Sequence, residues 1–150
     1  MTQESVISTE VRQWVGRESE PVTLEVERGA IRKFAEAIGD SNPLFNDEAA
    51  ARRTRYGGMI APPTFLRSVP LPKLPLPEMP NLRRILDGGS DWEYFQPVWP
   101  DDRITAVTRL ENVRERRSRL GPMLFTTLKT TYTNQFGQVA ATQTSTLIFY

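Results

Sequence analysis

Neither cysteine nor histidine occurs among the 150 residues. The first absence excludes disulfide cross-links and thiolate nucleophiles. The second removes Ser-His and Cys-His catalytic pairs, imidazole proton shuttles and most zinc sites. Any proton transfer must run through a carboxylate, Tyr, Lys, water or a backbone group. Charge of one sign is lacking as well. The 19 Lys and Arg are set against 18 Asp and Glu, a formal net charge of +1, which is not the polycation that nucleic acid recruits. No apolar run approaches a membrane span. The opening MTQESVISTEVRQ carries no basic n-region and no apolar h-region, so no secretory signal is expected. A cytoplasmic enzyme or enzyme subunit is the default class, and the length suits one domain, 1–150, that buries a core without staples.

What is present reads as one strand, then helices, then a run of antiparallel strands, an α+β order. Val6, Ile7, Val11 and Trp14 have helical spacing over Gln3 to Trp14. Pro21 to Glu27 alternates apolar Val22, Leu24 and Val26 with polar partners, the pattern of a half-buried strand. Ile31, Phe34, Ala35 and Ile38 share one face of a helix over Gly29 to Ile38, with Gly39 just past its end. Asp40 to Pro43 is a turn. Asn46 is expected to cap a second helix to about Arg53, with Asp47 and Glu48 in its positive first turn. Seven of the twelve prolines fall between Pro62 and Pro80, where leucines should pack an extended loop onto the core. From Asp91 the chain reads as β. Trp92 to Phe95, Arg103 to Val113, Met123 to Asn134 and Gln138 to Tyr150 are the expected strands, and Asn134 to Gly137 joins the last two as a hairpin.

The most specific block is FAEAIGDSNPLFNDEAA, Phe34 to Ala50. It resembles the hydratase signature of MaoC-like proteins, roughly G-D-x-N-P-[LI]-H-x-D. Asp40, Asn42, Pro43, Leu44 and Asp47 match, while the histidine position holds Phe45. The resemblance continues through YGGMIAPPTF, DWEYFQPVWPDD and the strand-rich end, nearly the whole chain. It is closest to the N-terminal-type, FAS1-like MaoC domains, which commonly pair with a second domain carrying the complete Asp/His dyad. The fold this implies is a hot-dog, a long helix wrapped by a five- or six-stranded antiparallel sheet. The implied substrate is an acyl-CoA or acyl-carrier-protein thioester of fatty acid, polyketide or steroid metabolism. No cofactor or metal is implied.

In that family the Asp and the His hold the water that adds to an enoyl thioester. Hydration needs a base for water, a proton for the alpha carbon and donors for the carbonyl oxygen. Asp40 can bind water with Asn42 in support, but Phe45 can neither donate nor accept a proton. The simpler role for Asp40 is a turn residue bonding its own backbone. The resemblance places the thioester at Gly58, Met59 and Ile60, whose amides precede a helix start, and extends the substrate contacts to Phe65 and Trp92. Gly57-Gly58 can equally be a tight turn and nothing more. Arg114, Arg116, Arg117 and Arg119 form a basic patch that either docks the phosphates of CoA or an acidic carrier, or is a solvated hairpin tip. No aromatic platform interleaves with it, which disfavours nucleic acid. Leu71, Leu74, Leu76, Met79 and Leu82 either line an acyl tunnel, cover a subunit interface or pack as an ordinary loop.

Four functions follow as expectations. The first is a hydro-lyase subunit, an enoyl-CoA or enoyl-ACP hydratase (3-hydroxyacyl thioester dehydratase) completed by a partner hot-dog, homomeric or heteromeric. The second is a His-independent homodimeric enzyme using Asp40 in hydration, conjugate addition or cyclisation. The third is a non-catalytic acyl-binding module, and the fourth a thioesterase, since one fold hosts many chemistries.

Overall fold

The computed structural model describes residues 9–79 and 81–150. The elements run α1 (Thr9–Gln13), β1 (Val22–Glu25), α2 (Arg28–Ala37), a 3-10 turn at Pro43–Phe45, α3 (Glu48–Ala51), a 3-10 segment at Pro63–Ser68, then β2 (Ile85–Tyr94), β3 (Arg103–Ser118), β4 (Gly121–Thr133) and β5 (Val139–Phe149). The strands form one five-stranded antiparallel sheet in the order β1-β3-β4-β5-β2. This is the hot-dog arrangement the motifs imply. Its helix is short, however. The ten residues of α2 rise about 15 Å, so α2 alone does not fill the concave side of strands up to 16 residues long. No helix among the described residues is long and apolar enough to cross a membrane.

Helix α2 forms where the 3.6-residue spacing predicts it. It buries Ile31 and Ala35, and Phe34 meets Phe65 edge-on at 5.6 Å between centroids. Such an edge-to-face pair adds roughly 0.5–1.5 kcal/mol beyond the area it buries. The helix ends because Gly39 adopts φ +70°, a left-handed conformation that lacks a Cβ penalty only in glycine. The next helix differs from expectation in its cap. Asp47, not Asn46, accepts the Ala50 N–H, because the 3-10 turn at Pro43–Phe45 already ends on Asn46. Residues 3–8 of the expected first helix lie outside the described residues.

Strand β3 shows how sequence periodicity sets the core. Ile104, Ala106, Thr108 and Leu110 are buried at a strict period of two. A bulge between Leu110 and Asn112 then shifts the register against β4. The inward face passes from even to odd numbers, so that Val113 joins a second apolar cluster with Val11, Leu82, Leu124 and Phe149. Of the proline-loop residues, Leu82, Leu76 and Met79 pack into that cluster, while Leu71 is exposed.

Two strands are longer than the sequence suggests. β2 begins at Ile85 rather than Trp92, because Asp87-Gly88-Gly89 is a bulge within the strand and not a loop before it. Gly88 presses on β5 so closely that a Cβ would lie 3.1 Å from Thr146 Cγ2. β3 runs on through Arg114 to Ser118, pairing down to Ser118 against Gly121.

Candidate functional site

The signature turn is built from its own backbone. Asp40 Oδ1 accepts the Asn42 N–H at 3.0 Å, Asn42 Oδ1 accepts the Leu44 N–H at 3.0 Å, and Asp47 Oδ1 accepts the Ala50 N–H at 3.1 Å. Each such bond contributes about 0.5–1.5 kcal/mol and leaves fewer lone pairs for other work. Asp40 borders a shallow depression with Arg32, Glu36 and Asn46. Phe45, five residues on, is 6% exposed and packs in the core with Ile31, Ala35 and Met59. Asp40 is half-buried at the rim of that depression, while Phe45 lies in the core. A histidine introduced at 45 would enter an apolar core.

The glycine turn is also occupied from within. Glu48, the first residue of α3, pairs with Arg28 at the start of α2, and Arg52 lies 3.4 Å from its other oxygen. The same Glu48 Oε2 accepts the Met59 N–H at 3.3 Å. The Arg28 guanidinium, followed by the Met59 N–H, holds the Glu48 carboxyl below its ordinary 4.5. Gly58 makes this approach possible, since a Cβ there would sit 3.3 Å from Glu48 Oε1. The Met59 amide expected to hold a thioester oxygen thus holds a carboxylate of the same chain. Ile60 N–H donates to the Leu44 carbonyl and Ala61 N–H to that of Val98. Within this turn Gly58 N–H is the amide with no partner among the described residues.

The expected substrate contacts divide. Ile60 lines an open groove of about 370 Å³ between Pro62-Pro63 and the Tyr94–Val98 segment. Met59 and Phe65 are buried core residues, 1% and 2% exposed. Trp92 is half-buried and stacks between Tyr94, at 5.9 Å, and Tyr132, at 5.4 Å. Burial pushes the Tyr132 phenol up to about 12, so it stays protonated and donates its O–H to Gln143 Oε1 at 3.2 Å. Of the basic patch, Arg114 and Arg116 both lie over the Phe125 ring, each 5.6 Å from its centroid. All four arginines sit on the β3–β4 hairpin and are exposed. Sequence reasoning missed Glu48 as a bracket for the glycine turn, because its contact with Met59 crosses eleven residues and no local pattern marks it. It also passed over Tyr132 and Gln143, whose inward direction is readable from strand alternation alone.

The chain matches the model of the FAS1-like dehydratase domain region over residues 13–143. It is 32% identical over 145 residues to a UPF0336 protein of Saccharopolyspora erythraea, covering 90% of this chain and 88% of that one. It is also 32% identical over 155 residues to a protein of Thermomonospora curvata named a probable enoyl-CoA hydratase alpha subunit, covering 87% of this chain but 47% of that longer one. Among solved structures, the ChsH1-ChsH2 complex from Mycobacterium tuberculosis aligns with TM-score 0.78 at 20% identity, over 94% of this chain and 89% of that one. The MaoC-like dehydratase from Rhodospirillum rubrum aligns with TM-score 0.69 at 23% identity, over 91% and 92%. The architecture agrees at low identity and the sequence model spans most of the length: this chain belongs to the FAS1-like dehydratase domain family, on the hot-dog fold of the MaoC-like dehydratases.

Proposed function

We propose that this chain is the acyl-binding subunit of an enoyl thioester hydratase (3-hydroxyacyl thioester dehydratase) whose second hot-dog subunit supplies the catalytic histidine. One observation carries the reading. The chain keeps the dehydratase fold, yet its histidine position is Phe45, a buried core residue that can neither donate nor accept a proton. The groove at Ile60 and the Gly58 N–H suit binding rather than proton transfer.

The edge of the sheet supports a partner. β2 is an outer strand, and Ile85, Leu86, Tyr94 and the following Phe95 are all exposed along it. An open apolar edge invites strand pairing. The charges on β2 argue for a different partner rather than a second copy. Asp87, Asp91 and Glu93 are acidic, and β2 has no basic residue. Self-pairing would bring two such sets together, and like charges across a strand pair destabilise it. The relative in Thermomonospora curvata is named an alpha subunit, and ChsH1-ChsH2 is a complex of two named chains, which suits the same reading.

The test is copurification with native partners, followed by hydration of a crotonyl-type thioester by the chain alone and by the complex. Turnover is expected only in the complex. Full-rate hydration by the isolated chain as a homodimer overturns the reading.

A further inference from the structure

A second cavity, of about 480 Å³, lies between the concave face of the sheet and the segment from Arg67 to Leu74. That volume is within the usual range for a small-molecule site. It exists because α2 is short and the proline loop, not a helix, spans this part of the sheet. Its walls are partly apolar, with Val69, Leu74, Leu128 and Leu147. Its floor is not. Thr108, Thr130 and Tyr132 are 3%, 2% and 2% exposed and reach the cavity from β3 and β4.

Most of these buried polar groups are already matched. Thr108 and Thr130 share a hydrogen bond of 2.7 Å between their hydroxyls. Tyr132 donates to Gln143 Oε1, which leaves the Gln143 Nε2 amide hydrogens directed to no partner among the described residues. Ser145 Oγ, two residues along the same face of β5, likewise has none. The charged lining residues, Arg67, Lys73 and Asp87, are all exposed, and Arg67 is near enough to the floor to act on the Tyr132 phenol. The open groups on the sheet itself are neutral, an amide donor and a hydroxyl on an otherwise matched floor.

We infer that this cavity accepts an acyl chain bearing a neutral oxygen, a hydroxyl or ketone, away from its reacting end, and that Gln143 and Ser145 bind that oxygen. The inference rests on the acyl thioester reading above and names its substrate class. A plain alkyl chain would cover the Gln143 amide and the Ser145 hydroxyl without replacing their water, which is unfavourable. An oxygen at that depth replaces the water bond for bond. A site built to hydrogen-bond one group discriminates against the analogue that lacks it.

The experiment titrates the purified chain, and its complex with the native partner, with dodecanoyl-CoA and with hydroxydodecanoyl-CoA isomers carrying the hydroxyl at successive positions beyond the third carbon. Binding is read by calorimetry, which needs no turnover. At least one isomer is expected to bind roughly tenfold more tightly than the plain chain, the worth of about one good hydrogen bond. Gln143→Leu should erase that preference while leaving the plain chain bound. Because Gln143→Leu also unpairs Tyr132, Ser145→Ala is measured beside it, and should reduce the preference with an unchanged thermal melt. Equal binding of all isomers and the plain chain overturns the oxygen site and leaves the acyl reading standing. No binding of any thioester overturns both.

Discussion

The turn from Asp40 to Asp47 and the cavity under Arg67 to Leu74 are both rich in polar side chains, yet those side chains face different things. In the turn, Asp40, Asn42 and Asp47 each bond a backbone N–H two or three residues onward. In the cavity, Gln143 and Ser145 keep groups directed at open volume. One region resembles a catalytic signature in sequence and spends one oxygen each of Asp40, Asn42 and Asp47 on its own backbone. The other has no signature and retains chemistry to offer a ligand. The difference teaches that a signature's polar groups can be partly spent on their own backbone, while groups outside any signature stay open to a ligand.

The sharpest way to break this contrast is at Phe45. Phe45→His puts an imidazole into a well-packed apolar site and removes ring volume, at a cost of about 3 kcal/mol. For a chain of this length that lowers the melting temperature by about 10 °C. Hydration of a crotonyl-type thioester should not rise above background. A gain in hydration with an unchanged melt would show that the turn is still a site.

A smaller effect is expected at Glu48. Arg28 and the Met59 N–H hold its carboxyl below 4.5, so the folded state favours the charged form. A depressed carboxylate contributes stability above its unfolded pKa and loses it as pH falls through the folded one. Glu48→Gln should therefore lower the melting temperature at pH 7, and the gap to the parent chain should close as pH drops below about 4.5. A gap that persists unchanged at pH 3 would rule out the ionised bracket. Turnover of the complex by this variant bears on a separate matter, whether the Met59 amide has any other duty once released.

The smallest effect is expected at Asp40. Asn keeps an oxygen where Asp40 accepts the Asn42 N–H, so Asp40→Asn should change the melt by a few degrees at most and turnover of the complex by less than twofold. A general base would instead cost on the order of 2–4 powers of ten. A thousandfold loss, measured on the purified complex with a parallel thermal melt, would return Asp40 to the chemistry.

The architecture was largely legible in the sequence, because it rests on periodicities and turn residues. The β1 alternation, Gly39 and the Asn134–Gly137 hairpin are local signals that read correctly, and the α2 stripe does so at Ile31, Phe34 and Ala35 but not at Ile38, which lies past the helix end and is 49% exposed. The failures are equally physical. Asp87-Gly88-Gly89 has turn composition, and only pairing with β5 makes it strand. From the sequence β3 is expected to end at Val113, yet β4 extends beside it to Gly121 and carries the exposed arginines out along the hairpin. The occupied Met59 amide needed Glu48, Arg28 and Gly58 to meet, three positions no single pattern connects. Phe45 could be placed in neither core nor cleft from its neighbours alone, since an apolar residue in a polar turn suits both.

The two margins of the sheet have unequal futures. β1 is four residues long and carries Glu25, and a further bridge joins Glu18 to Arg109 beside it. That margin offers little to an incoming strand. β2 is open, but the Gly88-Gly89 bulge interrupts it, leaving Ser90 to Tyr94 as its longest regular stretch. A molecule with one receptive margin can be capped but cannot polymerise, since growth needs two. On the partner reading proposed above, this chain made in excess should then leave single chains with one open margin rather than fibres.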